Sequence, residues 1–128
     1  MSHVCRVLVV EDHSDTARSL TDLLELHGFE VHASRDGKSE DLASFMPDVA
    51  LVDLGLPDRD GYAVGKELLD RYPHCKVVIV SAHGFPQHME ESQKNGFLHL
   101  VKPVDPHLLK RLLDDHCEEI KQGDECPN

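Results

Sequence analysis

The stretch Val77-Val78-Ile79-Val80, followed at once by Ser81, decides the fold of this chain. Four consecutive β-branched residues favour a strand, and a continuous apolar run of this kind predicts that both faces of the strand are buried. Strands buried on both faces occur in parallel sheets that carry helices on each side. The stretch therefore predicts an inner strand of an α/β protein.

The rest of the sequence alternates between similar strands and helical patterns. The strand patterns are short and apolar, and lie at residues 6–10, 30–33, 49–52, 76–80 and 98–101. The helical patterns follow them, at about residues 14–27, 38–45, 62–71, 87–95 and 105–121. Ser14 or Asp15 is placed to cap the first helix, and Gly28 to end it. Five strands alternating with five helices predict β-α-β units, hence a parallel sheet covered on both faces.

The length and charge of the chain limit the classes of protein to which it can belong. The 128 residues are enough for one domain, which we place at residues 1–121, with 122–128 as a polar tail or linker stub. The chain has 13 Lys and Arg against 24 Asp and Glu, a net charge of −11, which argues against a nucleic-acid partner. Its apolar runs are far shorter than the roughly twenty residues that cross a membrane. With no secretory signal pattern at the N-terminus, we expect a cytoplasmic protein without a membrane partner.

The spacing of the cysteines is consistent with a cytoplasmic protein. They stand at positions 5, 75, 117 and 126 without a C-x-x-C pair, so we expect reduced thiols, with Cys5 and Cys75 buried as small apolar residues. The ten histidines are scattered and lack cysteine partners at zinc-binding spacing. A dedicated zinc site is therefore not expected.

Polar residues follow four of the five strands. In open α/β sheets the functional crevice lies beyond the carboxyl ends of the strands, so these residues are expected at one edge. They are Glu11 and Asp12 after the first strand, Asp53 after the third, Ser81 after the fourth, and Lys102 with Pro103 after the fifth. Three carboxylates, a hydroxyl and an amine thus converge from four separate segments.

The chemistry of this set points to a cation and a phosphoryl group. Two carboxylates about 5 Å apart repel by roughly 3 kcal/mol at an effective dielectric constant of 20, so a cation is expected among them. Carboxylate oxygens and water suit Mg²⁺. Lys102 supplies a fixed second cation and Ser81 a hydroxyl, which together can hold the oxygens of a phosphoryl group in transfer. Asp53 is then the nucleophile and acceptor.

These residues, with Leu51-Val52-Asp53-Leu54-Gly55-Leu56-Pro57 and Lys102-Pro103, resemble the receiver domain of two-component response regulators. The resemblance covers residues 4–120, approximately. It implies a flavodoxin-like (βα)5 three-layer sandwich with a five-stranded parallel sheet of order 2-1-3-4-5. It also implies that Asp53 is the phosphoacceptor, loaded from a histidine kinase or a histidine phosphotransfer protein.

The same resemblance assigns the remaining roles. Asp12 and Asp53 would bind Mg²⁺ (or Mn²⁺) through their side chains, Glu11 largely through water, and Gly55 through its backbone carbonyl. Ser81 would donate a hydrogen bond to one phosphoryl oxygen and Lys102 would pair with another, with the Lys102-Pro103 bond cis. Phosphorylation would switch the surface formed by the helix at 87–95, the fifth strand and the last helix. That surface would meet a downstream output protein or domain, or form a homodimer.

Two positions depart from the family pattern. His99 stands three residues before Lys102, where the family usually has Tyr or Phe, so we expect an altered, pH-sensitive switch. The alternative is a half-exposed strand residue without a role. Gly55 and His83 correspond to the positions that flank the water attacking the phosphoryl group. His83 is therefore expected to orient or block that water, unless it is simply a solvated loop residue.

Three other classes compete with this interpretation. An aspartyl-phosphate phosphatase of the haloacid dehalogenase type generally needs a second aspartate two residues after the nucleophile, where this chain has Gly55. A pseudo-receiver would keep the fold as a binding module that is never phosphorylated. A flavin-binding protein would place a phosphate at the loop after the first strand, where Glu11 and Asp12 would repel it.

Overall fold

The computed structural model describes residues 4–38, 42, 45–56, 60–82 and 86–125, with Pro86 and residues 118–125 described by backbone alone. Strands and helices alternate along it, and we number each kind in the order in which it is described. The strands are β1 (Arg6–Val10), β2 (Glu30–Ser34), β3 (Val49–Asp53), β4 (Lys76–Ser81) and β5 (Leu98–Val101). The helices are α1 (Ser14–Leu26), α2 (Gly61–Arg71), α3 (Pro86–Lys94) and α4 (Pro106–Glu125).

The strands form one parallel sheet in the order β2-β1-β3-β4-β5. This confirms the expected flavodoxin-like topology. The register places Asp53 beside Val80 and Ser81 beside Val101, so both polar residues lie in the last rung of their ladders. The carboxyl ends of the strands therefore meet at one edge, as the sequence predicts.

Alternate strand residues supply two separate cores, one on each face of the sheet. On one face, Val7 and Val9 pack in a cluster with Leu24 of α1 and Leu113 of α4. On the other face, Leu8 and Val10 belong to a cluster that includes the α2 residues Val64 and Leu68, among others. Each fully buried aliphatic side chain contributes about 1.5–3 kcal/mol. The two cores make the molecule the predicted three-layer sandwich.

The ends of several elements differ from the sequence predictions. α1 is capped by His13 rather than Ser14 or Asp15, because Ser14 is already helical and the His13 carbonyl accepts from the Ala17 amide at 2.9 Å. β2, β3 and β4 each extend one residue further than predicted, because their last residues still pair with neighbouring strands. Gly28 ends α1 as expected, with φ at +91°.

The last helix is longer than predicted. α4 continues to Glu125, which corrects the prediction that the chain leaves the helix after residue 121. Gly123 costs a helix only about 1 kcal/mol relative to alanine, and the first proline after it is Pro127. The helix predicted at 38–45 falls mostly outside the described residues. Within it, Leu42 is helical and fully buried.

The cysteines correct another prediction. Cys5 and Cys117 form a disulfide that joins the chain before β1 to α4, with 5.8 Å between the two Cα atoms. Both residues are buried, so the prediction of burial for Cys5 holds, while that of reduced thiols is wrong for this pair. Cys75 is free and buried, and burial, with the charge of Asp48, raises the pKa of its thiol to about 12. Cys126 lies outside the described residues.

Among the residues that the structure describes, no helix combines the length and the apolar composition that crossing a membrane requires.

Candidate functional site

Four of the predicted site residues meet at the carboxyl edge of the sheet. Asp53 and Ser81 are the last residues of β3 and β4, and Glu11 and Lys102 directly follow β1 and β5. The Glu11 amide donates to the Ser34 carbonyl at 3.0 Å, and the Lys102 amide donates to the Ser81 carbonyl at 2.8 Å. These backbone bonds continue the sheet by one step and fix the positions of both side chains.

Lys102 faces two carboxylates. Its Nζ lies 3.4 Å from Glu11 Oε1 and 3.6 Å from Asp53 Oδ2. The Gly55 amide donates to the other Asp53 oxygen, Oδ1, at 3.0 Å. Glu11 and Asp53 are both buried, so these contacts are only weakly screened by solvent. One cation thus balances only one of two buried carboxylates.

The pKa values of the two carboxyl groups shift in opposite directions. The pKa of Glu11 is raised to about 7, chiefly by burial and also by the hydrogen bond to Asp53 and the charge of Asp53, while Lys102 opposes this rise. Burial alone would also raise the pKa of Asp53. Hydrogen bonds from Glu11 and the Gly55 amide, with the charge of Lys102, outweigh that effect and hold the Asp53 pKa below its usual range. Below about pH 7, Glu11 is therefore mainly protonated and donates that proton to the Asp53 carboxylate.

The site also offers a set of ligands for a cation. Glu11, Asp12, His13 and Asp53 each present a ligand atom, and these atoms all lie within 4.8 Å of one another. Among the described residues, Asp12 Oδ1 is buried without a hydrogen-bond partner. Its ion-pair contact with His13 Nδ1 is 3.4 Å long. A buried carboxylate oxygen without a donor fits a divalent cation, and three carboxylates suit Mg²⁺ or Mn²⁺.

The turn after Asp53 is held by the close approach of α2. A Cβ atom at Gly61 would lie 2.8 Å from the Asp53 carbonyl oxygen and 2.9 Å from Leu54 Cα. Both atoms belong to the backbone and cannot rotate away. Asp60 then caps the helix by accepting from the Tyr62 amide at 3.0 Å. The missing side chain at Gly61 therefore lets α2 begin directly against the end of β3.

Gly61→Ala is expected to lower the free energy of unfolding by about 1–3 kcal/mol, because the new methyl group forces these backbones apart. Urea unfolding followed by circular dichroism measures the difference. Gly55→Ala is the matched control, since among the described residues its Cβ would meet only Asp53 Oδ1, at an ordinary 3.7 Å. Equal stabilities of the two variants would contradict this account of the turn.

Ser81 is joined to a chain of side chains on α2 and α3. Ser81 Oγ lies 2.7 Å from His99 Nε2, and the other ring nitrogen, Nδ1, lies 2.8 Å from Ser92 Oγ on α3. Ser92 is fully buried and donates to the hydroxyl of Tyr62 on α2 at 3.3 Å. Burial, with the charge of His88, lowers the pKa of His99. His99 therefore has definite partners, in contrast to the alternative of a strand residue without a role.

The comparisons with known proteins agree with this geometry. A sequence model of the response regulator receiver domain matches residues 7–114. The chain belongs to the response regulator receiver domain family. Among solved structures, this receiver domain resembles the CheY-like receiver domain protein from Methanospirillum hungatei JF-1, with a TM-score of 0.79 and 27% identity. That alignment covers 91% of this chain and 99% of the other.

Two curated relatives are much longer than this receiver domain. Regulatory protein AtoC of Escherichia coli (strain K12) is 30% identical over 108 residues, which cover 82% of this chain and 23% of AtoC. The virulence transcriptional regulatory protein PhoP of Salmonella typhimurium (strain 14028s) is 33% identical over 101 residues, covering 77% of this chain and 45% of PhoP. The chain thus spans less than half the length of these relatives. It is the receiver domain of a two-component response regulator, and such domains are generally non-enzymatic signalling modules.

The remaining predicted residues of the receiver site have mixed outcomes. The Lys102-Pro103 bond is cis, as the resemblance implies. The Gly55 amide contacts Asp53, while the metal-binding role of the Gly55 carbonyl stays a prediction. His83 lies outside the described residues. His13 was not predicted as a site residue, and its one signal in the sequence is its place directly after Glu11 and Asp12.

Proposed function

We propose that Asp53 accepts a phosphoryl group from a phosphohistidine and thereby switches this receiver domain. The observation that carries the proposal is the placement of Asp53, buried at the end of β3 with its Oδ2 3.6 Å from Lys102 Nζ. The low pKa of Asp53 supports it, since a carboxylate that stays ionised can act as the nucleophile. The function thus rests on a single aspartate and the cation beside it.

In the proposed step, an Asp53 carboxylate oxygen attacks phosphorus, the bond from phosphorus to the donor nitrogen breaks, and the imidazole leaves with a proton. Lys102 balances charge on the phosphoryl oxygens, and the Ser81 hydroxyl donates a hydrogen bond to one of them. Mg²⁺ (or Mn²⁺), held by Asp12, Asp53, Glu11 and the Gly55 carbonyl, would neutralise further charge on these oxygens.

A cavity beside Asp53 gives the phosphodonor access to the site. A cavity of about 640 Å³ adjoins Glu11, Asp53 and Lys102 and is bounded on one side by α1 residues such as Thr16 and Leu20. Its walls are mostly apolar with a few polar groups, which suits a histidine side chain presented by a protein partner. The phosphodonor proposed here is a histidine kinase or a histidine phosphotransfer protein.

The output surface is proposed to be formed by α3, β5 and α4. Each of these elements carries an exposed large apolar residue, which are Met89, Val101 and Leu108, respectively. Exposed apolar groups on adjacent elements favour protein contacts. A downstream output protein or domain, or a second copy in a homodimer, is the proposed partner there. Given the net charge of −11, we propose a cytoplasmic module without direct nucleic-acid or membrane contacts.

Acetyl phosphate tests the proposal directly. Incubation with acetyl phosphate and Mg²⁺ is expected to add the mass of one phosphoryl group, measured by intact-mass spectrometry. Asp53→Asn, which is close in size and cannot form the acyl phosphate, is expected to show no addition, and excess chelator should prevent it in the unmodified protein. Equal labelling of Asp53→Asn would refute the assignment of the acceptor.

The same experiment separates the competing classes. A pseudo-receiver would gain no mass under any of these conditions. A phosphatase would release phosphate from generic phosphate esters with repeated turnover, whereas a phosphoacceptor is modified once and then decays. Either result would overturn the proposed function.

A further inference from the structure

A continuous line of hydrogen bonds leads from Ser81 to the backbone of α3. It passes from Ser81 Oγ to His99 Nε2, from His99 Nδ1 to Ser92 Oγ, and from Ser92 to the Tyr62 hydroxyl. Tyr62 ends the line by donating to the carbonyl of His88 at 2.7 Å. The line links the phosphoacceptor edge of the sheet to two helices.

The far end of this line fixes the direction of every proton in it. A carbonyl oxygen can only accept a hydrogen bond, so the Tyr62 hydroxyl donates its proton to the His88 carbonyl. The Tyr62 oxygen must then accept from the Ser92 hydroxyl. Ser92 has one hydroxyl proton, which is then in use, so Ser92 must accept from His99 Nδ1–H. A neutral imidazole has one donor and one acceptor nitrogen. His99 Nε2 therefore accepts, and the Ser81 hydroxyl donates to it.

A phosphoryl group on Asp53 would compete with His99 Nε2 for the proton of the Ser81 hydroxyl. Its oxygens carry negative charge and bond most strongly to donors, so the Ser81 hydroxyl would turn towards them. Ser81 could then only accept from His99, which requires the proton on Nε2. His99 Nδ1 would become an acceptor and take the Ser92 proton, which leaves Tyr62 without its donor.

We propose that His99 is a positioning residue whose tautomer sets the direction of the Ser81 hydroxyl, and that loading of Asp53 exchanges the Nδ1–H tautomer for the Nε2–H tautomer. The ring releases one proton to solvent and gains one, so its charge does not change. The exchange breaks the bond from Ser92 on α3 to Tyr62 on α2. The tautomer exchange on loading of Asp53 rests on the proposed function, whereas the positioning role of His99 concerns the free protein alone.

Nitrogen chemical shifts of the His99 ring report its tautomer directly. A histidine with a merely structural role would keep the same tautomer when Asp53 is loaded. At about pH 8 the imidazole is neutral, since its ordinary pKa is about 6.5. We expect the Nδ1–H form to predominate in the free protein. On addition of Mg²⁺ and beryllofluoride, a phosphoryl mimic, the two nitrogen signals should exchange character. His99→Gln assigns the signals by their loss.

A variant at the far end separates a relay from a local contact. Tyr62→Phe keeps the ring that stacks on Phe97 but removes the acceptor that fixes the direction of Ser92. It should lower the Nδ1–H population of His99 in the free protein, although Tyr62 makes no hydrogen bond to His99 among the described residues. The matched control is Tyr72→Phe, at the residue that follows α2, whose hydroxyl donates to the Leu42 carbonyl at 2.7 Å and is not part of this line.

The outcomes are distinct. A predominant Nε2–H form in the free protein, or equal His99 signals in Tyr62→Phe and Tyr72→Phe, would overturn the positioning role. Binding of beryllofluoride, seen by fluorine NMR, without a change of tautomer would overturn the exchange. Failure of beryllofluoride to bind would count against the proposed function and the exchange together, while the free-protein signals would still decide the positioning role.

Discussion

Reduction of the Cys5–Cys117 disulfide is expected to lower the free energy of unfolding by about 4 kcal/mol. The bond joins residues separated by 112 positions, so it constrains nearly the whole unfolded chain. In the chain-entropy description, a loop of roughly 100 residues gives about 4–5 kcal/mol. For a domain of this size, the loss corresponds to a fall in Tm of roughly 10–20 °C. Thermal unfolding with and without a thiol reductant measures it.

Two controls separate the covalent bond from packing. The double variant Cys5→Ser and Cys117→Ser should unfold at about the temperature of the reduced protein and should not respond to reductant. Thiol titration in denaturant should find two more thiols after reduction than before. The disulfide assignment fails if the thiol count is unchanged and reductant leaves Tm where it was. Because the cytosol keeps thiols reduced, the lower stability is the one expected in that compartment.

Glu11→Gln is expected to stabilise the metal-free protein at pH 8 by about 2–3 kcal/mol, and much less at pH 5. The pKa of Glu11 is raised from 4.5 to about 7, so the folded state holds a proton that the unfolded state releases between these values. This contribution to stability is complete below pH 4.5 and is lost as the pH rises through 7. Glutamine keeps an N–H donor for Asp53 without a charge, and so avoids the loss. The lowered pKa of Asp53 acts only in acid, below this range.

Urea unfolding in chelator at several pH values between 5 and 8 measures this difference. Added Mg²⁺ should stabilise the unmodified protein more at pH 8 than at pH 6, because cation binding must displace the Glu11 proton. Glu11→Gln should lose most of that stabilisation. Glu25→Gln, at an exposed position of α1, is the matched surface control. A stability difference for Glu11→Gln that stays constant with pH would contradict the protonated Glu11.

Most of the fold could be predicted from local patterns. Apolar runs and their turns predict all five strands, and the crevice rule predicts that Glu11, Asp53, Ser81 and Lys102 meet at one edge of the sheet. Strand order came from the family resemblance, since pattern alone does not order parallel strands. The errors at the ends of β2, β3 and β4 have a shared cause: whether Ser34, Asp53 and Ser81 belong to their strands depends on pairing with neighbouring strands, which the local sequence does not contain.

The unpredicted parts of the site depend on contacts between distant segments. Cys5 and Cys117 carry no local signal of pairing, because only the packing of α4 beside β1 brings them together. Ser92 was predicted only as part of the helix at residues 87–95, yet it is fully buried and bonded to His99. The sequence singled out His99 by its unusual position. Its partners required the structure.

The covalent bond between Cys5 and Cys117 also changes how the domain bears mechanical tension. A pull applied outside these two residues would pass through the sulfur atoms and would not reach the hydrogen bonds of the sheet. The chain between them, with a sequence separation of 112 and a length of roughly 400 Å when extended, would be shielded from the load. While the bond is oxidised, the part of the domain between the two cysteines would resist extension, and reduction would make that part extensible.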